Sequence, residues 1–256
     1  MMQPLEQYFK ENNGRLINKW QNYFDVYERY FAPYRNKEVV ILEIGVFHGG
    51  SLQMWKSYFG ERAKIYGIDI NPRCKELEEA NIHIFIGSQS DPIFLQEVKN
   101  QIPDIDILID DGGHTMRQQI VSFEMLFDKV KDNGIYLCED TMTSYWMEYG
   151  GGFKRRGTFI EYAKGFIDSI HAWQSTQKEF KPDSLTTSVA SVAFYHGIVV
   201  LEKKKIDPPF TLQTGNLSFA PDPPLSKSFW HKMRYTALLL LNKVLRGMRL
   251  PGFIWR

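Results

Sequence analysis

The feature that most constrains the fold is a regular alternation of short apolar runs with segments of helical spacing. The apolar runs predict strands at 39–44, 63–69, 82–87, 106–110 and 134–140. The segments between them predict helices at 51–59, 71–80, 92–102 and 115–130. Strands and helices that alternate in this way form βαβ units in a parallel sheet whose two faces are covered. The sequence therefore predicts a doubly wound, mostly parallel α/β fold, in which ligands bind at the carboxyl ends of the strands.

The segments on either side of this alternating region predict smaller units. Before it, apolar residues at spacings of three and four predict a helix over 15–35. After it, the sequence predicts a helix over 158–170 and an antiparallel hairpin over 188–205 that turns at His196 and Gly197. The predicted division of the chain is an N-terminal helical cap, a central α/β domain, a proline-rich linker and a basic tail, at 1–36, 37–205, 206–224 and 225–256.

Charge and composition exclude several classes of protein. The basic tail holds seven Lys or Arg and no Asp or Glu, which leaves 24 basic and 30 acidic side chains in the rest of the chain. Such a body is a poor binder of nucleic acid, because that affinity depends on clustered cations. No apolar run reaches the ~18–20 residues that span a bilayer, and the N-terminus lacks the apolar core of a secretory signal. With two cysteines, too few for a disulfide framework, we expect a cytoplasmic protein.

Polar residues follow each of the first three predicted strands. Gly45 lets a loop pass close to a ligand, but its surroundings differ from the G-x-G-x-x-G pattern of dinucleotide binders. Glu43 is unsuited to a pyrophosphate and suits an amino-bearing ligand, whereas Asp69 can accept hydrogen bonds from ribose hydroxyls. Ser88 and Gln89 suit an adenine edge. The alternative is that the glycine only shapes a turn and that Asp69 only caps the next helix.

The fourth and fifth predicted strands end in carboxylates. Asp111 follows the fourth strand, and Glu139 and Asp140 close the fifth. Because neighbouring strands lie ~4.8 Å apart, these carboxylates converge and repel one another unless a cation or proton lies between them. Oxygen ligands favour Mg²⁺ or a similar hard ion, although strand-end carboxylates also cap helices. His114 opens the next helix at the same edge and is the natural general base for a hydroxyl that the metal polarises.

These strand ends resemble those of class I S-adenosylmethionine-dependent methyltransferases. The motifs GGSLQMW, IDDGGHTMRQQI and CEDTMTSYWMEYGGG make the resemblance specific. Over residues 38–200 the chain resembles the macrocin/mycinamicin type of sugar O-methyltransferase, which uses S-adenosylmethionine and Mg²⁺. The resemblance implies that Asp111, Glu139 and Asp140 bind the metal and that His114 is the catalytic base. It also implies methylation of a bacterial surface glycan or a glycosylated metabolite.

The same resemblance assigns residues to the methyl donor and to the acceptor. The implied donor-binding residues are Glu43, Gly45, Ser51, Asp69, Ser88, Gln89 and Asp111. The loop that begins at residue 143 falls where the family borders its acceptor. Its aromatic residues Tyr145, Trp146 and Tyr149 offer flat faces to a sugar ring, and they could equally pack beneath a mobile loop.

Several alternatives remain open at this point. A catechol-type acceptor chelates Mg²⁺ as well as a sugar diol does, and a non-catalytic binding protein could keep the same fold. A metal-dependent oxygenase is disfavoured, because its facial triad needs two histidines and only His114 lies at the strand ends.

The tail combines an apolar stripe with basic residues. The stripe is ~120° wide on a helix and consists of Phe229, Trp230, Met233, Ala237, Leu240, Leu241, Val244 and Met248. The basic residues off the stripe are Lys232, Lys243, Arg246 and Arg249. Such a helix suits the surface of an anionic membrane. It could instead pack on the body of the chain or on a second subunit of a homo-oligomer.

Overall fold

The fold was analysed in a computed structural model of the chain, which describes residues 3–177, 179–220, 229–248, 250 and 252–253. The chain divides into two compact units, Met1–Phe210 and Thr211–Arg256. The division falls inside the predicted linker 206–224 and places the predicted cap 1–36 in the same unit as the sheet.

A single seven-stranded sheet forms the centre of the first unit. Its strands are β1 Val40–Ile44, β2 Lys64–Asp69, β3 Ile82–Ile86, β4 Ile105–Asp110, β5 Val130–Cys138, β6 Val189–Phe194 and β7 Val199–Lys203. They are ordered β3-β2-β1-β4-β5-β7-β6. The first five are parallel, and β7 runs antiparallel to both β5 and β6. The predicted doubly wound, mostly parallel fold and its C-terminal hairpin are confirmed.

Helices cover both faces of the sheet, and the second unit has a helix of its own. The α-helices are α1 Pro4–Glu11, α2 Tyr23–Phe31, α3 Gly50–Phe59, α4 Pro92–Gln101, α5 Met116–Leu126, α6 Phe159–His171 and α7 Phe229–Gly247. Short 3₁₀ helices lie at Ala32–Tyr34, Pro72–Leu77, Phe127–Lys129, Thr141–Tyr145, Met147–Tyr149 and Ala172–Gln174.

The alternation of side chains along each strand divides the apolar core into two layers. In β1, Ile41 belongs to the layer under α1, α2 and α3, whereas Leu42 and Ile44 belong to the layer under α4, α5 and α6. Successive side chains of a strand point to opposite faces, so a residue's position in this alternation decides which helices cover it. The same rule places the polar residues at the strand ends.

The N-terminal helices are part of the core. Tyr27 and Phe31 of α2 are fully buried, and both rings pack edge-on against Trp55 of α3 at centroid distances of 5.2 and 5.7 Å. Large buried aromatic side chains contribute about 1.5–3 kcal/mol each by burial alone. The segment before residue 36 is therefore part of the layer that covers one face of the sheet.

Two predicted helices are wrong in extent. The predicted helix over 15–35 is helical only from residue 23, and the exposed Leu16 and Trp20 lie in the irregular segment before it. The predicted helix over 71–80 is reduced to the 3₁₀ helix at 72–77. Asn71 caps that helix as expected, but the Glu78 carboxylate accepts a hydrogen bond from Ile84 N–H at 2.7 Å and turns the chain into β3.

The second unit contains helix α7. The linker prolines Pro221, Pro223 and Pro224, the tail residues 225–228 and Arg249 lie outside the described residues. On α7, the aromatic and aliphatic side chains of the predicted stripe are exposed from Phe229 to Val244. In the part of the chain that is described, none of the helices has the length and apolarity needed to cross a membrane.

Candidate active site

Two adjoining cavities lie at the carboxyl ends of the parallel strands. The larger has a volume of about 750 Å³ and follows the ends of β1, β2, β3 and β4. The smaller, about 390 Å³, lies between the segment before α2 and the loop after β5. Both are lined by Asn18, Lys19, Asp111, His114 and Asp140. These shared residues lie at the boundary between the two cavities. Ligands bound in the two cavities would therefore lie close to each other at this boundary.

Strand alternation explains why three of the carboxylates face the same way. Glu43, Asp111 and Glu139 each lie two residues after a core residue of the layer under α1, α2 and α3. The strand ladder continues through the last two, since Asp111 N–H donates to Ile44 O and Glu139 N–H donates to Asp110 O at 2.9 and 2.8 Å. The three carboxylates therefore meet beneath the N-terminal segment.

Lys19 lies at the centre of this cluster. Its ammonium nitrogen is 2.5 Å from Asp111 Oδ2 and 3.0 and 3.1 Å from the two Glu139 oxygens. Glu43 Oε1 lies 3.5 Å away. The Lys19 side chain is 2% exposed, so the chain itself supplies a buried cation to the carboxylates that the sequence assigns to a metal.

The charges of this cluster depend on one another. Burial alone would lower the pKa of Lys19, but the carboxylates of Asp111, Glu139 and Glu43 raise it well above its ordinary value. Burial raises the pKa of Glu139, and the neighbouring Asp111 carboxylate raises it further. Lys19 is consequently held as an ammonium ion, and removing its charge would leave buried carboxylates without a partner.

Two tyrosines of α2 complete the contacts. The Tyr27 hydroxyl donates to Glu139 Oε1 at 2.7 Å, and the Tyr23 hydroxyl donates to Asp140 Oδ1 at 2.7 Å. Each of the three predicted metal ligands thus receives a hydrogen bond from the N-terminal segment, with Lys19 serving Asp111 and Glu139. These hydrogen bonds fix which oxygen atoms remain free for a ligand.

The remaining oxygens face His114. Its Nε2 lies 3.4 Å from Asp140 Oδ2 and 3.8 Å from Asp111 Oδ1. Both His114 and Asp140 adopt left-handed backbone conformations, with φ of 55° and 51°. The Thr143 hydroxyl lies within hydrogen-bond distance of both of their carbonyl oxygens, at 2.9 and 2.8 Å. Such conformations are uncommon away from glycine and are frequent at functional sites.

A divalent cation fits one part of this arrangement. Ligand atoms of Asp111, His114 and Asp140 lie within 4.8 Å of one another, and all three residues are partly buried. His114 Nδ1 is buried, and it has no hydrogen-bond partner among the described residues. The predicted ligand Glu139 lies outside this group, because its position in the strand alternation turns its carboxylate towards Lys19 and Tyr27. The group of possible ligand atoms therefore does not include Glu139, which the sequence predicted as a metal ligand.

The larger cavity contains most of the predicted donor-binding residues. Gly45 has φ of 96°, and a Cβ atom there would lie 2.0 Å from the Asp111 carbonyl oxygen, so only glycine fits. Asp69 lines the cavity, where its Oδ2 accepts hydrogen bonds from the backbone N–H groups of Val46 and Phe47 at 2.9 and 3.0 Å. A carboxylate has further acceptor sites, so a ribose could still bind there.

Four other predicted donor-binding residues have different settings. Ser51 and Ser88 line the larger cavity. Gln89 also lines it, but its amide is engaged by Asp110 Oδ1 at 3.0 Å and by Gly113 N–H at 2.7 Å. Glu43 lies outside both cavities, because it points to the same face as Ile41 and is buried beside Ser51 and Lys19. Its positive partner in the structure is the Lys19 ammonium group.

The three predicted acceptor residues do not all line the same cavity. Trp146 and Tyr149 line the smaller cavity, where the Tyr149 ring lies 6.5 Å from that of His114. Tyr145 is half-exposed and lines neither cavity, because it ends the 3₁₀ helix Thr141–Tyr145 and the chain turns after it. The smaller cavity thus combines aromatic faces with the carboxylate and imidazole groups.

The chain matches known methyltransferases. Residues 42–141 match the family described as a methyltransferase domain. Over 198 residues the chain is 34% identical to the 8-demethyl-8-alpha-L-rhamnosyl tetracenomycin-C 2'-O-methyltransferase of Streptomyces olivaceus, with 73% of this chain and 52% of that protein covered. It is 35% identical to the mycinamicin VI 2''-O-methyltransferase of Micromonospora griseorubida, with 71% and 48% covered.

Solved structures give the same result. MycE, a methyltransferase from the mycinamycin biosynthetic pathway, has been solved in complex with Mg, SAH and mycinamycin VI. That structure superimposes with a TM-score of 0.71 at 29% identity, covering 91% of this chain and 58% of MycE. The chain belongs to the macrocin/mycinamicin family of methyltransferases.

Membership of the macrocin/mycinamicin family confirms the resemblance found in the sequence and the class I methyltransferase fold that it implies. The chain spans about half the length of the curated relatives it matches.

Sequence reasoning missed the contribution of the N-terminal segment to the candidate site of this chain. Lys19, Tyr23 and Tyr27 are spaced by four residues, and each directs a polar group at a carboxylate. In the sequence, these residues appear as side chains with a terminal polar group, beside an aromatic stripe. Their role could not be assigned, because their partners lie 92 to 120 residues further along the chain.

Proposed function

We propose that this chain transfers a methyl group from S-adenosylmethionine to a hydroxyl of a sugar-containing acceptor, with the help of a divalent cation such as Mg²⁺. One observation carries the proposal: the larger and smaller cavities share His114, Asp111 and Asp140 in their common wall. A methyl donor in the larger cavity and an acceptor in the smaller would therefore meet at a base and two carboxylates.

Volume and polarity support this division of the two cavities. About 750 Å³ lies within the range of sites for ligands of nucleoside size, and Asp69 offers a carboxylate to a ribose. Trp146 and Tyr149 offer apolar faces to a sugar ring beside His114. The named activities of the relatives, O-methylation of rhamnosyl tetracenomycin and of mycinamicin VI, support a sugar as the acceptor class.

The proposed step is a nucleophilic substitution at the methyl carbon. His114 accepts the proton of the acceptor hydroxyl while its oxygen forms a bond to the methyl carbon. The carbon–sulfur bond breaks, and its electron pair stays on sulfur, which yields S-adenosylhomocysteine. Asp111 and Asp140 stabilise the imidazolium that results and would hold the divalent cation. When bound, such a cation lowers the pKa of a hydroxyl and stabilises developing charge.

Calorimetry with S-adenosylhomocysteine, in the presence and absence of Mg²⁺, tests the donor half of the proposal. We expect binding in the larger cavity, and binding that is absent in both conditions would contradict the proposal. A screen of nucleotide-, lipid- and peptide-linked sugars beside catechols then tests the acceptor. Methylation of catechols alone would favour the catechol-type alternative, and donor binding without turnover on any acceptor would favour a non-catalytic binding protein.

We also propose a peripheral contact between the C-terminal tail and the anionic inner face of the cytoplasmic membrane. Phe229, Trp230 and Leu240 on α7 are each at least 60% exposed, and the tail carries no acidic residue. Exposed aromatics with basic neighbours suit an anionic lipid surface. The free thiols Cys74 and Cys138 suit the reducing cytoplasm.

Vesicle sedimentation tests the lipid contact. We expect the full chain to sediment with anionic vesicles at low salt, and to lose this binding at high salt and after truncation at residue 224. Neutral vesicles serve as the control. A full chain that ignores anionic vesicles contradicts the proposal, and a truncated chain that also loses its oligomeric state would identify the tail as a subunit contact.

A further inference from the structure

The buried cation Lys19 and a divalent cation would share the carboxylate of Asp111. Lys19 is bonded to Asp111 Oδ2 and to both oxygens of Glu139. Asp111 Oδ1 and Asp140 Oδ2 face His114 instead. A second cation held by Asp111 would therefore lie close to the ammonium group, on the other side of one carboxylate.

We propose that Lys19 is a built-in counter-ion that competes with the divalent cation for Asp111 and Glu139 and so limits how tightly this site binds the ion. The inference rests on the proposed function, because it concerns the cation affinity of the same site. It goes beyond that function by assigning the control of affinity to a residue from outside the strand ends.

Charge balance supports this role. Glu43, Asp111 and Glu139 place three carboxylates around Lys19, and the Lys19 side chain is 2% exposed. In such a setting, screening by water is weak and like charges repel strongly. The ammonium group therefore keeps the cluster stable when no metal is bound, and it also repels an arriving metal ion.

The competition also explains the contacts of Glu139. Tyr27 and Lys19 together hold both Glu139 oxygens, so the carboxylate can turn to a metal only if Lys19 releases it. If Lys19 only filled space in the core, it would not need ion pairs with a candidate metal ligand. Removal of the ammonium charge is consequently expected to free Glu139 and Asp111 Oδ2 for the ion.

The test compares Mn²⁺ binding to the wild type and to Lys19→Met, measured by electron paramagnetic resonance without methyl donor or acceptor. Methionine keeps the length of the side chain and removes its charge. We expect Lys19→Met to bind Mn²⁺ at least about tenfold more tightly, because a repelling charge within a few ångströms is lost. Lys75→Met, which removes an exposed lysine paired with Glu78, is the matched control and should bind as the wild type does.

Thermal unfolding in EDTA and in Mn²⁺ gives a second readout. Lys19→Met should melt below the wild type in EDTA, and Mn²⁺ should raise its melting temperature more than it raises that of the wild type. Equal or weaker Mn²⁺ binding by Lys19→Met overturns the inference. A variant that stays unfolded in Mn²⁺ also overturns it, since the ion then cannot replace the ammonium group.

These outcomes are separable from the proposed function. A wild-type chain that binds Mn²⁺ as expected but methylates no acceptor would refute the proposed function alone. Methyl transfer that responds to Mg²⁺, together with unchanged Mn²⁺ affinity in Lys19→Met, would refute the counter-ion alone. Failure of every form to bind Mn²⁺ would overturn the inference.

Discussion

The acidic cluster has two halves that differ in burial and in partners. The inner half, Lys19, Glu43 and Glu139, has side chains no more than 2% exposed that are bonded to one another, to Ser51 and to Tyr27. The outer half, His114 and Asp140, is about one fifth exposed and faces both cavities. Asp111 joins them, with one oxygen on each side. Carboxylates at neighbouring strand ends can thus have different roles, and the covering segment decides which.

The largest expected effect concerns the base of the outer half. His114→Ala should lower turnover on the order of 10²–10⁴-fold, the usual contribution of a general base, while donor affinity changes little. Steady-state kinetics and calorimetry measure the two quantities separately. His83→Ala, which removes an exposed histidine of β3, is the control. Activity that survives within about tenfold would place the base elsewhere.

Removal of an outer carboxylate should act on the metal. Asp140→Asn and Asp111→Asn should abolish the response of activity to added Mg²⁺, and should weaken Mn²⁺ binding by at least on the order of 10². Asp128→Asn changes an exposed carboxylate just before β5, near the end of that strand opposite to Glu139, and should leave both quantities unchanged. An unaltered Mg²⁺ response in Asp140→Asn would remove that residue from the metal site.

A change in the inner half should appear first in stability. Tyr27→Phe deletes the buried hydrogen bond to Glu139 and should lower the free energy of unfolding by about 1.5–3 kcal/mol, with little change in turnover. Tyr30→Phe removes a partly buried contact between two hydroxyls and should cost less, about 0.5–1.5 kcal/mol. Chemical denaturation measures both. If Tyr27→Phe lost activity without losing stability, the division into halves would be wrong.

A substitution at the donor end of the larger cavity should act independently of both halves of the acidic cluster. Asp69→Ala should weaken the affinity for S-adenosylmethionine by about 1–3 kcal/mol, the scale of hydrogen bonds to a charged group. Asp91→Ala removes another strand-end carboxylate, one that caps α4 outside the cavity, and should leave donor affinity unchanged. Unchanged affinity in a folded Asp69→Ala variant would remove Asp69 from the donor site.

The strand ends were the most predictable part of the site. Local patterns sufficed to place Asp111, His114 and Asp140 at one edge of the sheet, because parallel strands bring their carboxyl ends together whatever covers them. The mostly parallel sheet followed from the alternation of strands and helices, and the hairpin from two β-rich runs that are separated by His196 and Gly197. Glu43 and Glu139 were found as strand-end residues, but the sequence did not show that Lys19 would contact both of them. Their alternation with Ile41 and Leu137 already indicated a buried face, yet it did not show what would cover that face.

The N-terminal segment could not be predicted to the same extent. Its aromatic stripe correctly indicated a helix, but Lys19 lies in irregular chain before that helix. Its partners Asp111 and Glu139 are 92 and 120 residues away. Such a contact depends on how the segment packs, which no local pattern specifies. The extent of the helix was wrong for the same reason, since tertiary contacts outweigh weak helical propensity.

The most direct test of the account measures methyl transfer to the acceptor that the sugar screen identifies. Mass spectrometry of the product and quantification of S-adenosylhomocysteine should be made with Mg²⁺ and with EDTA, for the wild type and for His114→Ala. The account predicts one added methyl group on the sugar and an equal amount of S-adenosylhomocysteine, formed by the wild type with Mg²⁺ and lost with EDTA or His114→Ala. Equal product in all of these reactions would show that the outer half of the cluster does not carry the chemistry.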